Sequence, residues 1–207
     1  MCTDAIVVVR RIPTRPQIGR LSAIERRELA AIANPERRRE WIAGRVLAKD
    51  VAGRLGASTD VEVITHGRRP CVSGLSISLS HTRDLVACAA TIGDALIGID
   101  VERESRVLVE LLPRFATLPE RESISAGDPE MPTLLWACKE AVIKLVGGAV
   151  SGWRSIRIEL HTESRFTAEL TGARVSGEHR RVGRHAVAWS SHPARRFRWE
   201  DDAAAGT

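Results

Sequence analysis

The chain places two long helical segments along its length, and each is followed by short apolar segments of strand character. The long segments cover residues 36–55 and 133–146 and have the apolar spacing of amphipathic helices. The strand-type segments cover residues 6–10, 61–64, 76–81, 85–91, 96–102, 156–160, 166–170 and 185–190. This order, in which helices and then strands occur twice, allows an α+β fold made of two similar halves.

Local signals predict where the helices begin. Ser22 and Glu25 have the spacing of a capping box, in which each residue bonds the backbone of the other. Asn34 followed by Pro35 is typical of an N-cap and a first helical position. A further helical segment covers residues 107–115. We therefore predict a short helix, a long helix and a second helical region.

The composition indicates a globular protein. Hydrophobic residues make up 43% of the 207 positions, which suffices for a buried core. No apolar run approaches the roughly 20 residues that a membrane-spanning helix needs. The first residues lack the charged and then apolar pattern of a secretory signal. We expect a cytoplasmic protein that does not enter a membrane.

The cysteines and the net charge narrow the function classes further. Four cysteines (Cys2, Cys71, Cys88 and Cys138) lack the spacing of a zinc ribbon or a disulfide framework, so free thiols are expected. The formal net charge of +5 fits an anionic ligand or an acidic partner and does not call for nucleic acid. Lysine is rare beside arginine, which makes each lysine position informative.

Carboxylates and one lysine recur at strand and helix spacing in the second half. Asp100 and Glu102 lie two apart on a predicted strand and project from the same face. Trp136, Glu140 and Lys144 lie four apart on the predicted helix and share one side. If the fold brings the three carboxylates together, they repel one another, and a bound Mg²⁺ would relieve that repulsion. Lys144, one turn after Glu140, could then reach a phosphate held by the metal. The alternative is a surface ion pair on the helix and solvated carboxylates on the strand.

Polar and basic residues in the first half suggest an anion site. Ser80, His81 and Thr82 end a strand, and an imidazole between hydroxyls suits a phosphate monoester. Arg37 and Arg45 belong to an arginine cluster on the first long helix. The alternatives are a structural histidine and a solvated basic face. The chain has no G-x-G-x-x-G, P-loop or G-x-S-x-G motif, so dinucleotide, nucleoside-triphosphate and serine-hydrolase functions lose support.

Several of these segments together resemble one known family. Residues 97–102 (IGIDVE) and 136–144 (WACKEAVIK) are similar to the two signature motifs of 4′-phosphopantetheinyl transferases, in the family's order and spacing. Residues 78–82, 67–70 and 113–121 resemble the family's Ser-His motif, its Gly-basic-Pro turn and the helix ahead of the second signature. The length implies the monomeric, two-halved Sfp-type branch.

The resemblance implies the fold and the division of the chain. The family fold is a pseudo-dimer of two α+β halves with the active site between them. By this resemblance residues 1–95 form the half that holds the nucleotide end of coenzyme A. Residues 96–200 form the half with the metal site and the catalytic helix. Independently of the resemblance, we expect residues 201–207 to be a disordered tail, because chain termini are often poorly ordered.

The resemblance also implies a reaction. The family transfers the 4′-phosphopantetheinyl group of coenzyme A to a serine of an acyl or peptidyl carrier protein and releases 3′,5′-ADP. Carried over residue by residue, Asp100, Glu102 and Glu140 would bind Mg²⁺, or Mn²⁺ in its place. Glu140 would also accept the serine proton, and Lys144 would contact the phosphate.

Coenzyme A and an acidic carrier domain are the implied partners, as in polyketide or nonribosomal-peptide synthesis. The implied coenzyme A contacts are Arg37, Arg45, Arg69, Ser80, His81, Thr82 and Lys144. Among them, His81 with Arg37 or Arg45 would hold the 3′-phosphate, and Arg69 would lie near the adenine and ribose.

Three other functions remain as alternatives. The chain would be a non-catalytic relative that binds coenzyme A or a carrier, a Mg²⁺-dependent nuclease, or a basic RNA-binding domain. The intact carboxylates and Lys144 argue against the first. The helical Lys-Glu-x-x-x-Lys spacing differs from the Glu-x-Lys strand pattern of the second. Three Phe and no Tyr offer few stacking platforms for the third.

Overall fold

The computed structural model describes residues 5–67, 69–124, 130–161 and 164–203. The expectations for Cys2, Arg68 and residues 204–207 lie outside the described residues. The chain divides into two compact units, residues 1–95 with 195–207 and residues 96–194. Among the described residues, no helix is both long enough and apolar enough to cross a bilayer.

The helices and strands alternate much as the sequence predicts, and the α+β class is confirmed. The helices are α1 (Ala23–Ala30), α2 (Pro35–Arg54), α3 (Arg106–Phe115), α4 (Leu118–Glu122) and α5 (Glu130–Leu145). The strands are β1 (Ala5–Arg11), β2 (Ile64–His66), β3 (Arg69–Cys71), β4 (Leu75–His81), β5 (Leu85–Ile92), β6 (Leu96–Arg103), β7 (Ile156–His161), β8 (Arg165–Leu170), β9 (Ala173–Val182), β10 (His185–His192) and β11 (Arg198–Asp201).

The first unit packs one long helix on a four-stranded sheet. The strand order is β11-β1-β5-β4, with β2 and β3 as a separate hairpin. Helix α2 covers the sheet because Leu47 and Val51 lie fully buried against Val8 and Cys88. The apolar strands β1 and β5 pair antiparallel along their whole length, which fixes the register of this core.

The second unit packs α5 on a five-stranded antiparallel sheet. The strand order is β6-β10-β9-β8-β7. Its core contains Phe115, Leu145, Ile156 and Phe166, all buried. The ten-residue strand β9 was not predicted, because its sequence is rich in arginine and polar residues and contains Gly177. That glycine is required, since a Cβ there would lie 2.2 Å from the Phe166 ring.

The segment after Ala194 differs from the expectation. Residues 195–207 belong to the first unit and not to the second, where residues up to 200 were expected. Strand β11 pairs in parallel with β1, and Asp202 bonds Arg10 at 2.9 Å and Arg54 at 2.8 Å. The prediction of a disordered tail from residue 201 is therefore wrong for residues 201–203, because backbone pairing and ion pairs hold them.

The predicted helix caps are confirmed. The Ser22 hydroxyl accepts a hydrogen bond from the Glu25 backbone, and the Glu25 carboxylate accepts one from the Ser22 backbone at 2.7 Å. The side chain of Asn34 caps α2 by accepting from the backbone of Arg37 at 3.0 Å. These local bonds begin α1 and α2 where the sequence indicates.

A buried ion pair joins three segments of the first unit. Glu25, the capping-box glutamate of α1, lies 3.1 Å from the ammonium of Lys49 on α2, and both side chains are almost completely buried. The second oxygen of Glu25 accepts from the backbone N–H of Val63, and Lys49 donates to the carbonyl of Val61. Helix α1, helix α2 and the chain before β2 are thus tied at one point.

The same arrangement occurs independently in the second unit. Thr117 and Glu120 form a second capping box at α4, and Glu120 lies 3.0 Å from the buried Lys139 of α5. Glu120 accepts from the backbone of Ile158, and Lys139 donates to the carbonyl of Ile156. The two units therefore share a local framework in which a capping-box glutamate pairs with a buried lysine.

We predict that Glu120→Ala destabilises the protein by about 3–5 kcal/mol, because it leaves the buried Lys139 charge without its partner. The measurement is urea unfolding followed by far-UV circular dichroism. The exposed Glu122→Ala is the control and is expected to change the free energy of unfolding by less than about 0.5 kcal/mol. Equal effects of the two substitutions would contradict the structural role of the pair.

Candidate functional site

Strand β6 and helix α5 approach closely because Gly98 has no side chain. A Cβ on Gly98 would lie 1.9 Å from the carbonyl oxygen of Ala141 on α5. Residues 98, 100 and 102 share one face of the strand, so the same face carries Asp100 and Glu102. The glycine of the first signature thus lets two carboxylates on β6 lie against the helix that carries Glu140 and Lys144.

Asp100 and Lys144 form the central ion pair of this site. Their side chains lie 2.6 Å apart, with Asp100 buried and Lys144 about one-third exposed. A pair that is partly shielded from water is stronger than a surface pair. The spacing on α5 predicts an ion pair between Glu140 and Lys144, but the structure pairs Lys144 with the strand.

Two indole groups bond the other two carboxylates. Trp136 donates to Glu102 at 3.2 Å, and Trp153 donates to Glu140 at 2.6 Å. The Trp136 and Trp153 rings lie 5.1 Å apart, and the edge of Phe115 contacts Trp136 at a centroid distance of 5.0 Å. The acidic site is therefore Asp100, Glu102, Glu140 and Lys144, bordered by aromatic rings.

The charges of this site are incompletely balanced. Burial and the negative charges of Asp100 and Glu140 raise the pKa of Glu102 to about 7. The hydrogen bond from Trp136 and the charge of Lys144 oppose that rise. The charges of Asp100 and Glu140 thus both act on Glu102, and the ammonium of Lys144 is the positive charge that acts on it.

The polar residues at the end of β4 belong to the first unit and have mixed environments. Ser80 is buried, whereas His81 is exposed and lies 3.5 Å from a carboxylate oxygen of Glu40 on α2. The Thr82 hydroxyl donates to Asp84 at 2.9 Å and accepts from the Leu85 backbone, which shapes the turn into β5. Of the three residues, His81 is the one placed for a ligand in solvent.

The three arginines also divide by exposure. Arg45 is buried, donates to Thr65 and lies 4.4 Å over the ring of Trp41, and burial lowers its pKa. Arg37 on α2 and Arg69 on β3 are exposed. The contacts of Arg45 tie it to the protein, so Arg37 is the more available of the two candidates for an anion.

Known proteins match both units. The family model of the 4′-phosphopantetheinyl transferase superfamily matches residues 96–193, and the model of the 4′-phosphopantetheinyl transferase N-terminal domain matches residues 25–91. Together they match about four fifths of the chain. The chain belongs to the 4′-phosphopantetheinyl transferase superfamily, in its Sfp-type branch.

Individual relatives agree with this assignment. The chain is 32% identical over 141 residues to the 4′-phosphopantetheinyl transferase HetI of Nostoc sp.. The aligned segment covers 61% of this chain and 59% of HetI. It is 30% identical over 110 residues to the 4′-phosphopantetheinyl transferase Sfp of Bacillus subtilis, covering 49% and 48%. The match to psf-1 of Bacillus pumilus is 29% over 143 residues, covering 64% and 60%. The chain thus spans about half to three fifths of the length of these curated relatives.

The acidic site fits a hard divalent cation by its chemistry. Its donors are three carboxylates, the ligand type that Mg²⁺ and Mn²⁺ prefer. The raised pKa of Glu102 shows that added positive charge would stabilise the group in its ionised form. Within the described ranges, no group of three or more His, Cys, Asp and Glu side chains is placed to hold a metal ion. In this structure Asp100 bonds Lys144, Glu102 bonds Trp136 and Glu140 bonds Trp153.

Two features of this site were not predicted from the sequence, the contact of Trp153 with Glu140 and the burial of Lys139. Trp153 lies outside both signature motifs, and no spacing rule connects it to Glu140. Lys139 stands beside Glu140 in the motif, but the structure buries it against Glu120 as a framework residue. The recurrence of a capping-box glutamate and a rare lysine in each half was the available signal for that second feature.

In metal-free buffer we expect Glu102 to titrate near pH 7, and Lys144→Met to move its pKa further up because a positive charge is removed. The measurement is ¹³C NMR of the carboxyl groups, with Glu102→Gln used to assign the signal. A midpoint at the ordinary glutamate value would contradict the burial and charge argument.

The same shift has a defined sign for stability. Between pH 4.5 and about 7 the folded chain binds more protons at Glu102 than the unfolded chain, so stability falls as pH rises through this range. Glu102→Gln is expected to remove that part of the slope when urea unfolding is measured across the window.

Proposed function

We propose that this protein transfers the 4′-phosphopantetheinyl group of coenzyme A to a serine of an acyl or peptidyl carrier protein. The observation that carries the proposal is the meeting of Asp100, Glu102, Glu140 and Lys144 where β6 packs on α5. These four residues lie inside the segment matched by the superfamily model. The relatives that match the chain are named for the same activity.

The bonds that change define what the site must do. The serine oxygen attacks the phosphorus next to the pantetheine, a new P–O bond forms, and the bond to the 3′,5′-ADP oxygen breaks. Negative charge grows on the leaving phosphate, and the serine proton must be accepted. Mg²⁺ or Mn²⁺ held by Asp100, Glu102 and Glu140 would stabilise the charge of the pyrophosphate.

Lys144 supplies the positive charge that the protein itself contributes. Its ammonium is partly exposed and is held in place by Asp100 at 2.6 Å. An ammonium fixed before the reaction stabilises developing phosphate charge without having to reorganise. We assign to Lys144 a contact with the pyrophosphate of coenzyme A, of which one phosphate stays on the pantetheine and the other leaves with 3′,5′-ADP.

Glu140 is the proposed general base. Its Oε1 accepts the Trp153 hydrogen bond, which orients the carboxylate, and we assign the serine proton to its Oε2. General-base catalysis of this kind contributes about 10²–10⁴-fold in rate.

The nucleotide end of coenzyme A is assigned to the first unit. His81 would bind the 3′-phosphate with Arg37, and Arg69 would lie at the adenine and ribose. Thr82 shapes the turn beside His81, and Ser80 is buried next to it on β4. We give Arg45 a supporting role, since its guanidinium already bonds Thr65.

The positive net charge supports an acidic carrier as the macromolecular partner. Complementary charge speeds encounter and makes it sensitive to salt. From the resemblance to the Sfp-type branch, we propose that the enzyme is monomeric and cytoplasmic.

The reaction is tested by intact-mass spectrometry of an apo carrier domain incubated with the protein, coenzyme A and Mg²⁺. We expect a gain of one phosphopantetheinyl group that EDTA abolishes, and a loss of at least about 100-fold for Glu140→Gln. Glu122→Gln, on the exposed end of α4, is the control and should react like the wild type. No transfer to several carrier types, with coenzyme A still bound, would support a non-catalytic binding protein.

A second prediction isolates the 3′-phosphate contact. His81→Ala is expected to lose more activity with coenzyme A than with 3′-dephospho-coenzyme A, because only the first ligand carries the group that His81 contacts. The comparison is of kcat/KM for the two substrates in both proteins. Equal losses would remove His81 from the 3′-phosphate.

A further inference from the structure

Trp153, which lies outside the signature motifs, contacts two consecutive residues of α5, Lys139 and Glu140. The ammonium of Lys139 donates to the main-chain carbonyl of Trp153 at 3.1 Å. The indole N–H of Trp153 donates to Glu140 at 2.6 Å. Consecutive helix residues point about 100° apart, so one enters the core and the other leaves it. Trp153 therefore links the buried framework to the acidic site.

The backbone of Trp153 is held by contacts that do not involve its own side chain. It begins a short 3₁₀ turn, Trp153–Ser155, directly ahead of β7. Lys139 also donates to the carbonyl of Ile156 and pairs with Glu120, and all of its side chain is buried. The indole consequently projects from a point that the core of the unit determines.

The indole itself is not explained by burial. Trp153 is 40% exposed, although tryptophan is the largest apolar residue and is usually placed where its area is buried. Its ring contacts that of Trp136 at a centroid distance of 5.1 Å and an angle of 34° between the ring planes, and Trp136 donates to Glu102. Two rings in contact thus donate to one carboxylate each, and their contact sets the separation of the two donors.

A neutral donor suits this task better than a cation. An indole N–H orients a carboxylate through a charge-assisted hydrogen bond without neutralising it. The carboxylate keeps its full charge for a metal ion. Lys144, by contrast, is a cation, and it forms an ion pair with Asp100.

We propose that Trp153 is a positioning residue that orients the Glu140 carboxylate, and through its ring contact with Trp136 the Glu102 carboxylate, so that the acidic site takes up a divalent cation. This inference rests on the proposed function for its catalytic consequence, but its binding consequence is independent of any carrier protein. Trp153 acts through Glu140 and need not touch the substrate.

Trp153→Phe is the informative substitution, because it keeps an aromatic ring for the contact with Trp136 and removes only the N–H donor. Loss of a residue that orients a metal ligand costs about 10–100-fold in metal affinity or activity. We expect the Mn²⁺ concentration for half-maximal quenching of tryptophan fluorescence to rise about tenfold, with Trp136 still reporting. We expect kcat to fall by about the same factor while the KM for coenzyme A is unchanged.

Trp199→Phe is the matched control, because it removes one tryptophan from β11 of the first unit. It should leave both the Mn²⁺ midpoint and kcat at wild-type values. If Trp153→Phe binds Mn²⁺ and turns over like the wild type, or if Trp199→Phe shows the same losses, the positioning role is overturned. If the wild type binds Mn²⁺ and Trp153→Phe weakens it tenfold without any transfer activity in either, the positioning role stands and the proposed reaction fails.

A measurement on the unaltered chain covers the case in which Trp153→Phe does not fold. The indole N–H signals of ¹⁵N-labelled protein are recorded during a Mg²⁺ titration, and the Trp153 signal is assigned by triple-resonance and NOE spectra of the unaltered chain. We expect that signal to be shifted by its carboxylate bond, slow to exchange with water, and moved by Mg²⁺. A rapidly exchanging signal that Mg²⁺ leaves in place would overturn the proposal.

Discussion

The buried pair of Glu120 and Lys139 is the contact on which the second unit depends. One carboxylate caps α4, accepts from the backbone of β7 and binds an ammonium. That ammonium donates to one carbonyl just ahead of β7 and to one at the first residue of β7. A charge with no exposed surface is tolerable only when every one of these bonds is made. The position of α5 relative to β7 is therefore fixed tightly, and with it the base of the acidic site.

This constraint explains the unequal roles of the few lysines. Lys49 and Lys139 serve the two buried pairs, where a compact ammonium can bond a carboxylate and backbone carbonyls together. Lys144 is the one of the three that remains partly exposed and lies among carboxylates. The adjacent motif residues Lys139 and Glu140 thus divide between holding the fold and facing the site, and Trp153 joins the two tasks.

Much of the fold and the centre of the site could be predicted from local sequence. Ser22 with Glu25 and Asn34 with Pro35 begin helices where their side chains can satisfy the first backbone N–H groups. Such bonds span only three residues, so they can be inferred without knowing the tertiary structure. Strands β9 and β11 could not be predicted in this way, because their polar sequences become strands only through pairing with β8, β10 and β1.

The sequence by itself determined which groups carry chemistry: carboxylates two apart on a strand and a glutamate and lysine four apart on a helix. Their periodicity decides that they share a face, whatever that face meets. Only the tertiary structure decided that Lys144 pairs with Asp100, that Arg45 is buried, and that Trp153 bonds Glu140. These outcomes depend on contacts between residues distant in sequence, and on how much water the packing excludes from each charge.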